Sequence, residues 1–218
     1  MSRHWRIPPL WPGATGVVIA GGPSVTLEQI RRIGIARLEG RCRVLAVNDA
    51  VFPAWWADWL HGCDPMWWNW HRLSVTKFTG IKTTMVEGLP EGWNVKLLRN
   101  ECGEGGQLGG FAAAPDALAP GGNGGYQAIQ CLAKAGCTRI LGIGFDMKVG
   151  DDGRGHWFGE HPGAYRSDYA GTMLPWFETL IDPLKARGIE FVNCTPGSAL
   201  TCFPTGDLDE ELPIRAVG

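Results

Sequence analysis

Two histidines, His156 and His161, share the short stretch His156-Trp157-Phe158-Gly159-Glu160-His161, inside a polar, glycine-rich segment at 147–163. Histidine titrates near neutrality, so at such a position it can take a proton from an attacking hydroxyl. Two glycine-rich stretches supply the complementary chemistry. Gly21-Gly22-Pro23-Ser24 follows an apolar run, and Gly121-Gly122-Asn123-Gly124-Gly125-Tyr126 precedes a helix-like one. A loop without side chains lets backbone N–H groups approach a ligand, and a helix starting there directs its positive end at the same point. Both turns are therefore candidate cradles for phosphate or another anion. Neither is a complete Gly-x-Gly-x-x-Gly fingerprint, and no Gly-Lys-Ser/Thr marks a Walker loop. Asn48-Asp49, Asp146 and Ser198 each follow an apolar run. An asparagine can pair with a base edge or a sugar hydroxyl without adding charge beside phosphate, so Asn48 is a ligand candidate; an ordinary turn start is the competing reading.

These groups need a scaffold, and hydrophobic patterning supplies one. Residues 16–20 and 43–47 read as short buried strands, 139–145 as a third and 189–194 as a last one. Weaker strand patterns cover 81–86 and 94–98. Helical spacing runs over 26–38, with Ser24 or Thr26 as N-cap, and over 127–135. It also runs over 165–187, where Pro175 and Pro183 mark breaks or first-turn positions. Residues 60–65 read as a strand-end loop followed by a helix, and 101–120 as a long loop without periodicity. Strands alternating with helices predict an α/β fold: one Rossmann-like domain with a mostly parallel sheet flanked by helices. In such sheets ligands bind beyond the carboxyl ends of the strands, where all the residues named above would stand. The expected limits are an irregular lead-in at 1–15, containing Pro8, Pro9 and Pro12, the domain at 16–205, and a solvated acidic tail at 206–218.

The formal net charge of -2 gives no electrostatic footprint for non-specific nucleic-acid binding. A hydrophobic fraction of 44% against 19% charged residues is that of a globular domain with a sizeable core. Residues 1–9 carry no apolar targeting core and no run is long enough to span a membrane, so the expectation is a soluble, cytoplasmic protein. The seven cysteines form no Cys-x-x-Cys pair and read as reduced core residues. His61, Cys63, Asp64 and His71 match no standard zinc spacing, and no metal site is expected. Eleven tryptophans are many for this length, and six stand between Trp55 and Trp70. That number is too great for one buried helix face, so a groove lined by indoles is expected, with a bulky core or an oligomer contact as the alternative.

The order of the motifs resembles the bacterial sialyltransferase-like fold group. The motifs are strand–Gly21-Gly22-Pro23-Ser24, strand–Asn48, Gly-rich loop–helix, the strand ending Gly144-Phe145-Asp146, a histidine loop, and a last strand leading to Thr195-Pro196-Gly197-Ser198. The group includes CMP-sialic-acid sialyltransferases, motility-accessory glycosyltransferase-like proteins and 6-hydroxymethylpterin pyrophosphokinase-like proteins. The resemblance implies that Gly21, Gly22, Pro23 and Ser24 form a phosphate-side turn and that Asn48 contacts the donor. It implies that Asn123, Gly124 and Gly125 hold the nucleotide, and that Asp146 and Ser198 also belong to the donor-binding set. It also implies that His161 or His156 is the catalytic base, His161 being preferred for its proximity to the following helix. One departure stands out. The sialyltransferases carry two tyrosines before the histidine that steady the leaving phosphate. Here Tyr165 and Tyr169 come after it, leaving Lys148, Arg154 and Arg166 as sources of positive charge.

The leading expectation is a nucleotide-dependent transferase, a glycosyltransferase moving a sugar from a nucleotide-sugar donor to an acceptor hydroxyl, with no cofactor required. The acceptor class stays open between a saccharide, a small metabolite and a modified nucleobase, and so does homo-oligomer formation. A pyrophosphokinase using ATP and Mg²⁺ is the second enzyme reading, with Asp64, Asp146, Asp151 and Asp152 as metal-side carboxylates. A non-catalytic nucleotide- or sugar-binding interaction module, docking a partner through its tryptophans, is the third.

Overall fold

A computed structural model describes residues 3–102, 107–159 and 168–214. Seven parallel strands form one sheet in the order β5-β4-β3-β2-β1-β8-β9. The strands are β1 (Thr15–Ile19), β2 (Arg43–Val47), β3 (Trp59–His61), β4 (Ile81–Thr84), β5 (Lys96–Leu97), β8 (Arg139–Ile143) and β9 (Glu190–Asn193). A two-residue parallel pair, β6 (Arg99–Asn100) with β7 (Ala117–Leu118), lies outside it. The main helices are α1 (Leu27–Leu38), α2 (Pro65–Val75) and α3 (Gly124–Lys134), with shorter α4 (Leu174–Glu178), α5 (Ile181–Ala186) and α6 (Leu208–Glu211).

Alternation along the strands sends side chains to two separate cores. Val18, Leu45, Trp59 and Ile140 face α3, where Ile129 and Leu132 meet them, with Phe177 and Leu184 of α4 and α5 in the same cluster. Val17, Ile19, Val44, Ala46, Leu60 and Ile143 face Ile30 and Ile33 of α1 and Trp67, Trp68 and Val75 of α2. Both faces are covered, which is why the strands read as continuous apolar runs. The chain winds outward from β1 through α1 to β2 on one side, while β8, preceded by α3, pairs with β1 on the other. The carboxyl ends of the paired strands β1 and β8 therefore mark the topological switch point, where open α/β sheets bind ligands.

Caps fix where the helices begin. Thr26 and Gln29 form a reciprocal capping box on α1. Asp64 caps α2 with Pro65 in its first turn, and Asn123 caps α3. The expected helix over 165–187 is broken in its described part. A π-type turn at Tyr169–Met173, capped by Asp168, gives way to α4 at Pro175, whose missing N–H suits a first turn. α5 then follows as a separate segment, with Pro183 near its start.

Two further expectations change, and the lead-in gains attachments. The tryptophans of residues 55–70 mostly build core rather than line a groove: Trp59, Trp67 and Trp68 are fully buried, and Trp55 and Trp56 pack on the α2-side core. The lead-in is irregular yet attached, since Trp5 N donates to Leu97 O, Ile7 N to Pro115 O and Trp11 N to Ala135 O at 2.7–2.9 Å. Trp5 and Trp11 set their rings edge-on to buried Trp59. The acidic segment after residue 206 is not a solvated tail through residue 212. Leu208 and Leu212 are buried in the α2-side core, and Asp209 and Glu211 pair with Arg32 and Arg139. Among the described residues, no helix is long and apolar enough to cross a membrane.

Candidate functional site at the switch point

The turns after β1 and β8 are tied to each other across the switch point. Gly22 N donates to Gly144 O at 3.0 Å. Ser24 donates its backbone N–H to Asp146 Oδ1 at 3.1 Å and its hydroxyl to Oδ2 at 3.0 Å. A Cβ on Gly22 would overlap Asp146 Oδ2 and stand 2.5 Å from the Gly144 carbonyl oxygen, so only glycine fits. Asp146 is buried. Desolvation pushes its pKa up from the ordinary aspartate value, against the opposing pull of the two Ser24 bonds. The turn after β9 braces the same loop: Thr195 Oγ1 accepts from Phe145 N at 2.9 Å, and Asp146 O accepts from Ala199 N at 2.9 Å. The Ser198 hydroxyl, expected to be available, donates to Phe145 O and accepts from Leu200 N.

Asn48 stands at the end of β2 in the left-handed region, φ 50°, which asparagine tolerates better than most residues. Its Oδ1 is buried without a hydrogen-bond partner among the described residues. The absence of a side chain on Gly62 makes room for it, since a Cβ there would lie 2.9 Å from Oδ1. The next residue anchors the backbone. Asp49 accepts from Trp67 Nε1 at 2.8 Å and lies 3.3 Å from His71 Nε2, whose ring is set between Phe52 and Trp67.

The central glycine loop begins at the same rim, but its small residues serve packing. Asn123 Oδ1 accepts from Gly125 N and Tyr126 N at 2.7 and 3.2 Å, occupying donors that a bound anion would otherwise use. A Cβ on Gly124 would press on Val47 at 2.7 Å, and one on Gly125 on Phe145 at 2.7 Å. The helix start thus lies tight against β2 and the β8 turn. Thr172 O lies 3.2 Å from where a Gly122 side chain would begin, and Asn123 Nδ2 is 3.3 Å from Met173 Sδ. The Tyr169–Met173 turn therefore roofs this loop.

His156 returns to the first glycine turn. Its Nδ1 is 3.3 Å from Gly21 O, the adjacent Trp157 N donates to the same carbonyl at 3.2 Å, and Phe158 stacks on the imidazole at 5.0 Å. Gly21 has no side chain to block this approach: a Cβ there would meet His156 Nδ1 at 3.3 Å. Tyr169 reaches the same loop through its hydroxyl, 3.3 Å from Gly155 O. His161, Tyr165 and Arg166 lie outside the described residues. Arg154 is held by Asp152, its Nε 2.7 Å from Oδ2. Lys148 follows Met147, a buried residue with φ 51°, and its Nζ lies 3.7 Å from where a Cβ on Gly197 would be.

One buried polar chain escaped the sequence reading. Trp59 Nε1 donates to Thr83 Oγ1, which lies 2.9 Å from His61 Nδ1; His61 Nε2 lies 3.0 Å from Gln127 Oε1, and Gln127 Nε2 donates to Pro120 O. The only signal for it was a histidine and a glutamine placed on otherwise apolar faces. Among the described residues no group of three or more His, Cys, Asp or Glu side chains is arranged to hold a metal. A groove of about 380 Å³ lies elsewhere, between α5 and β9. It is lined by Ile181, Leu184, Phe191 and Phe203, with Lys185 and Glu190 also on its wall.

No protein-family model and no curated protein sequence matches the chain. Among solved structures it is similar to the MAf glycosyltransferase from Magnetospirillum magneticum AMB-1, with a TM-score of 0.60 at 13% identity. The match covers 97% of this chain and 36% of that protein, so this chain spans little more than a third of its length. The fold is thus the one seen in the motility-accessory glycosyltransferase-like group.

Proposed function

We propose that the chain is a nucleotide-dependent glycosyltransferase that binds a nucleotide-sugar donor at the switch point and uses His156 as its general base. The observation that carries this reading is the return of His156, across 135 residues, to the Gly21 carbonyl. A carbonyl only accepts, so Nδ1–H donates to it, and Nε2 is the nitrogen that takes the proton in this reading. The acceptor oxygen bonds to the anomeric carbon as the bond from that carbon to the donor phosphate oxygen breaks. The electron pair leaves with the nucleotide, and the hydroxyl proton passes to Nε2. Asn48, whose buried Oδ1 has no partner among the described residues, is the group to accept from a base amine or a sugar hydroxyl of the donor. The fold likeness to a glycosyltransferase supports the same reading at the level of architecture.

The first glycine turn acts differently from the phosphate cradle expected of it. Its Ser24 donors are satisfied by Asp146, so the turn is a rigid wall of the crevice. The test is a thermal-shift panel of CMP-, UDP- and GDP-sugars, followed by donor turnover with the responding compound. A ligand bound only by the native state raises the melting temperature. His156→Gln is expected to keep the shift and to lose about 10²–10⁴-fold in turnover. Full turnover in that variant contradicts the base assignment, and no response to any nucleotide sugar contradicts the function.

A further inference from the structure

A transferase of this kind must stabilise negative charge on the departing phosphate, and the crevice walls offer little to do it. The loops after β1, β2 and β9 contain no lysine or arginine over residues 20–26, 48–58 and 194–207. Among the described residues, the loop after β8 supplies two, Lys148 and Arg154. Arg154 is held by Asp152 through three contacts, Nε to Oδ2 at 2.7 Å, Nη2 to Oδ2 at 2.5 Å and its backbone N–H to Oδ1 at 3.0 Å. Lys148 is exposed, and no carboxylate lies within ion-pair distance of it among the described residues.

Its placement is built into the backbone. Met147 adopts φ 51° immediately after Asp146, although its side chain has no local hydrogen-bonding reason to favour that region. Such a conformation is strained in an unbranched apolar residue and persists only where the surroundings enforce it. Here burial of the Met147 side chain in the α3-side core holds it. The consequence is a sharp turn that sends Lys148 toward the Gly197 turn at the end of β9, close enough for its charge to act on Asp146. The ammonium therefore stands beside the Gly197 turn, on the strand-end segment that carries Asp146 and continues to His156.

We propose that Lys148 holds the phosphate that leaves with the nucleotide. The assignment rests on the glycosyltransferase reading and refines it. A lysine acts here as a point charge that strengthens its contact as the phosphate oxygen gains the electron pair of the broken bond.

The test compares CMP, UMP and GMP with cytidine, uridine and guanosine by isothermal titration on the wild-type protein, Lys148→Gln, Lys148→Arg and Lys185→Gln. Lys185 lies on α5, so its variant controls for loss of a positive charge. For whichever monophosphate binds wild type, Lys148→Gln is expected to weaken it at least tenfold while leaving its nucleoside within twofold. Lys148→Arg is expected to restore most of that loss, and Lys185→Gln to change neither. Since Lys148 is exposed, its variants should melt with wild type. If wild type binds a monophosphate and Lys148→Gln binds it within twofold, the lysine assignment is wrong and the transferase reading stands. If wild type binds no nucleotide, the reading falls and this inference with it.

Discussion

His61 shows how one residue sets a property of the whole fold. Its ring is fully buried between Thr83 and Gln127, and the donors run in one direction. Trp59 donates to Thr83, the Thr83 hydroxyl to Nδ1, Nε2–H to Gln127, and Gln127 to the Pro120 carbonyl. That sequence of bonds assigns the neutral Nε2–H tautomer. Burial pushes the histidine pKa down to about 4. The unfolded chain therefore binds more protons than the native state between about pH 6.5 and about pH 4. Stability contributed by neutral His61 is full above that window and is lost as pH falls through it, by roughly 3 kcal/mol. Urea unfolding at pH 7 and pH 4.5 checks this: His61→Gln should show a smaller difference between the two than wild type. An equal difference would show that another group carries the acid sensitivity.

At the scale of elements, glycine positions separate tight junctions from open turns. Gly22→Ala drives a methyl into the Gly144 carbonyl and the Asp146 carboxylate, neither of which can yield without opening the β1–β8 junction. It is expected to lower stability by more than about 3 kcal/mol and to abolish nucleotide-induced stabilisation. Gly92→Ala, with no atom within 4 Å of the added carbon, should stay within about 0.5 kcal/mol of wild type. Chemical denaturation of the pair reads the contrast directly. Asn123→Ala, which removes the α3 cap, should cost about 1–2 kcal/mol. These junctions also mark what the sequence could and could not disclose. The strand–turn–helix units were legible because apolar runs, glycines and caps are local signals. Ser24 and Asp146 were both picked out, yet their bond was not, because the partners lie 122 residues apart. Asn123 was read as a nucleotide contact because a helix cap and an anion site use the same residue types.

Across the whole molecule, the described segments before β1 and after β9 secure the sheet whose rim carries the proposed site. The segment beyond β9 covers that edge strand, with Asn193 N donating to Pro204 O and Gly206 N to Asn193 O. Leu208 and Leu212 then enter the core beside α1 and α2. Truncation after Gly206 should therefore destabilise by about 3–5 kcal/mol, seen as a melting temperature roughly 10 °C lower. An unchanged melting temperature would mean that the segment is dispensable, as its acidic composition alone suggested. The tryptophan-rich stretch is ambiguous for a related reason: indoles suit a ligand groove and a bulky core equally, and only the neighbours that the fold brings in decide. The central claim is that a nucleotide donor occupies the crevice between β1 and β8. The most direct measurement is a crystal structure with the nucleotide that gives the largest thermal shift. The account predicts phosphate density within hydrogen-bond distance of Lys148 Nζ, with the His156 ring facing the sugar position and Asn48 contacting the nucleoside. Density instead in the apolar groove between α5 and β9, or a donor phosphate remote from both Lys148 and His156, would contradict it.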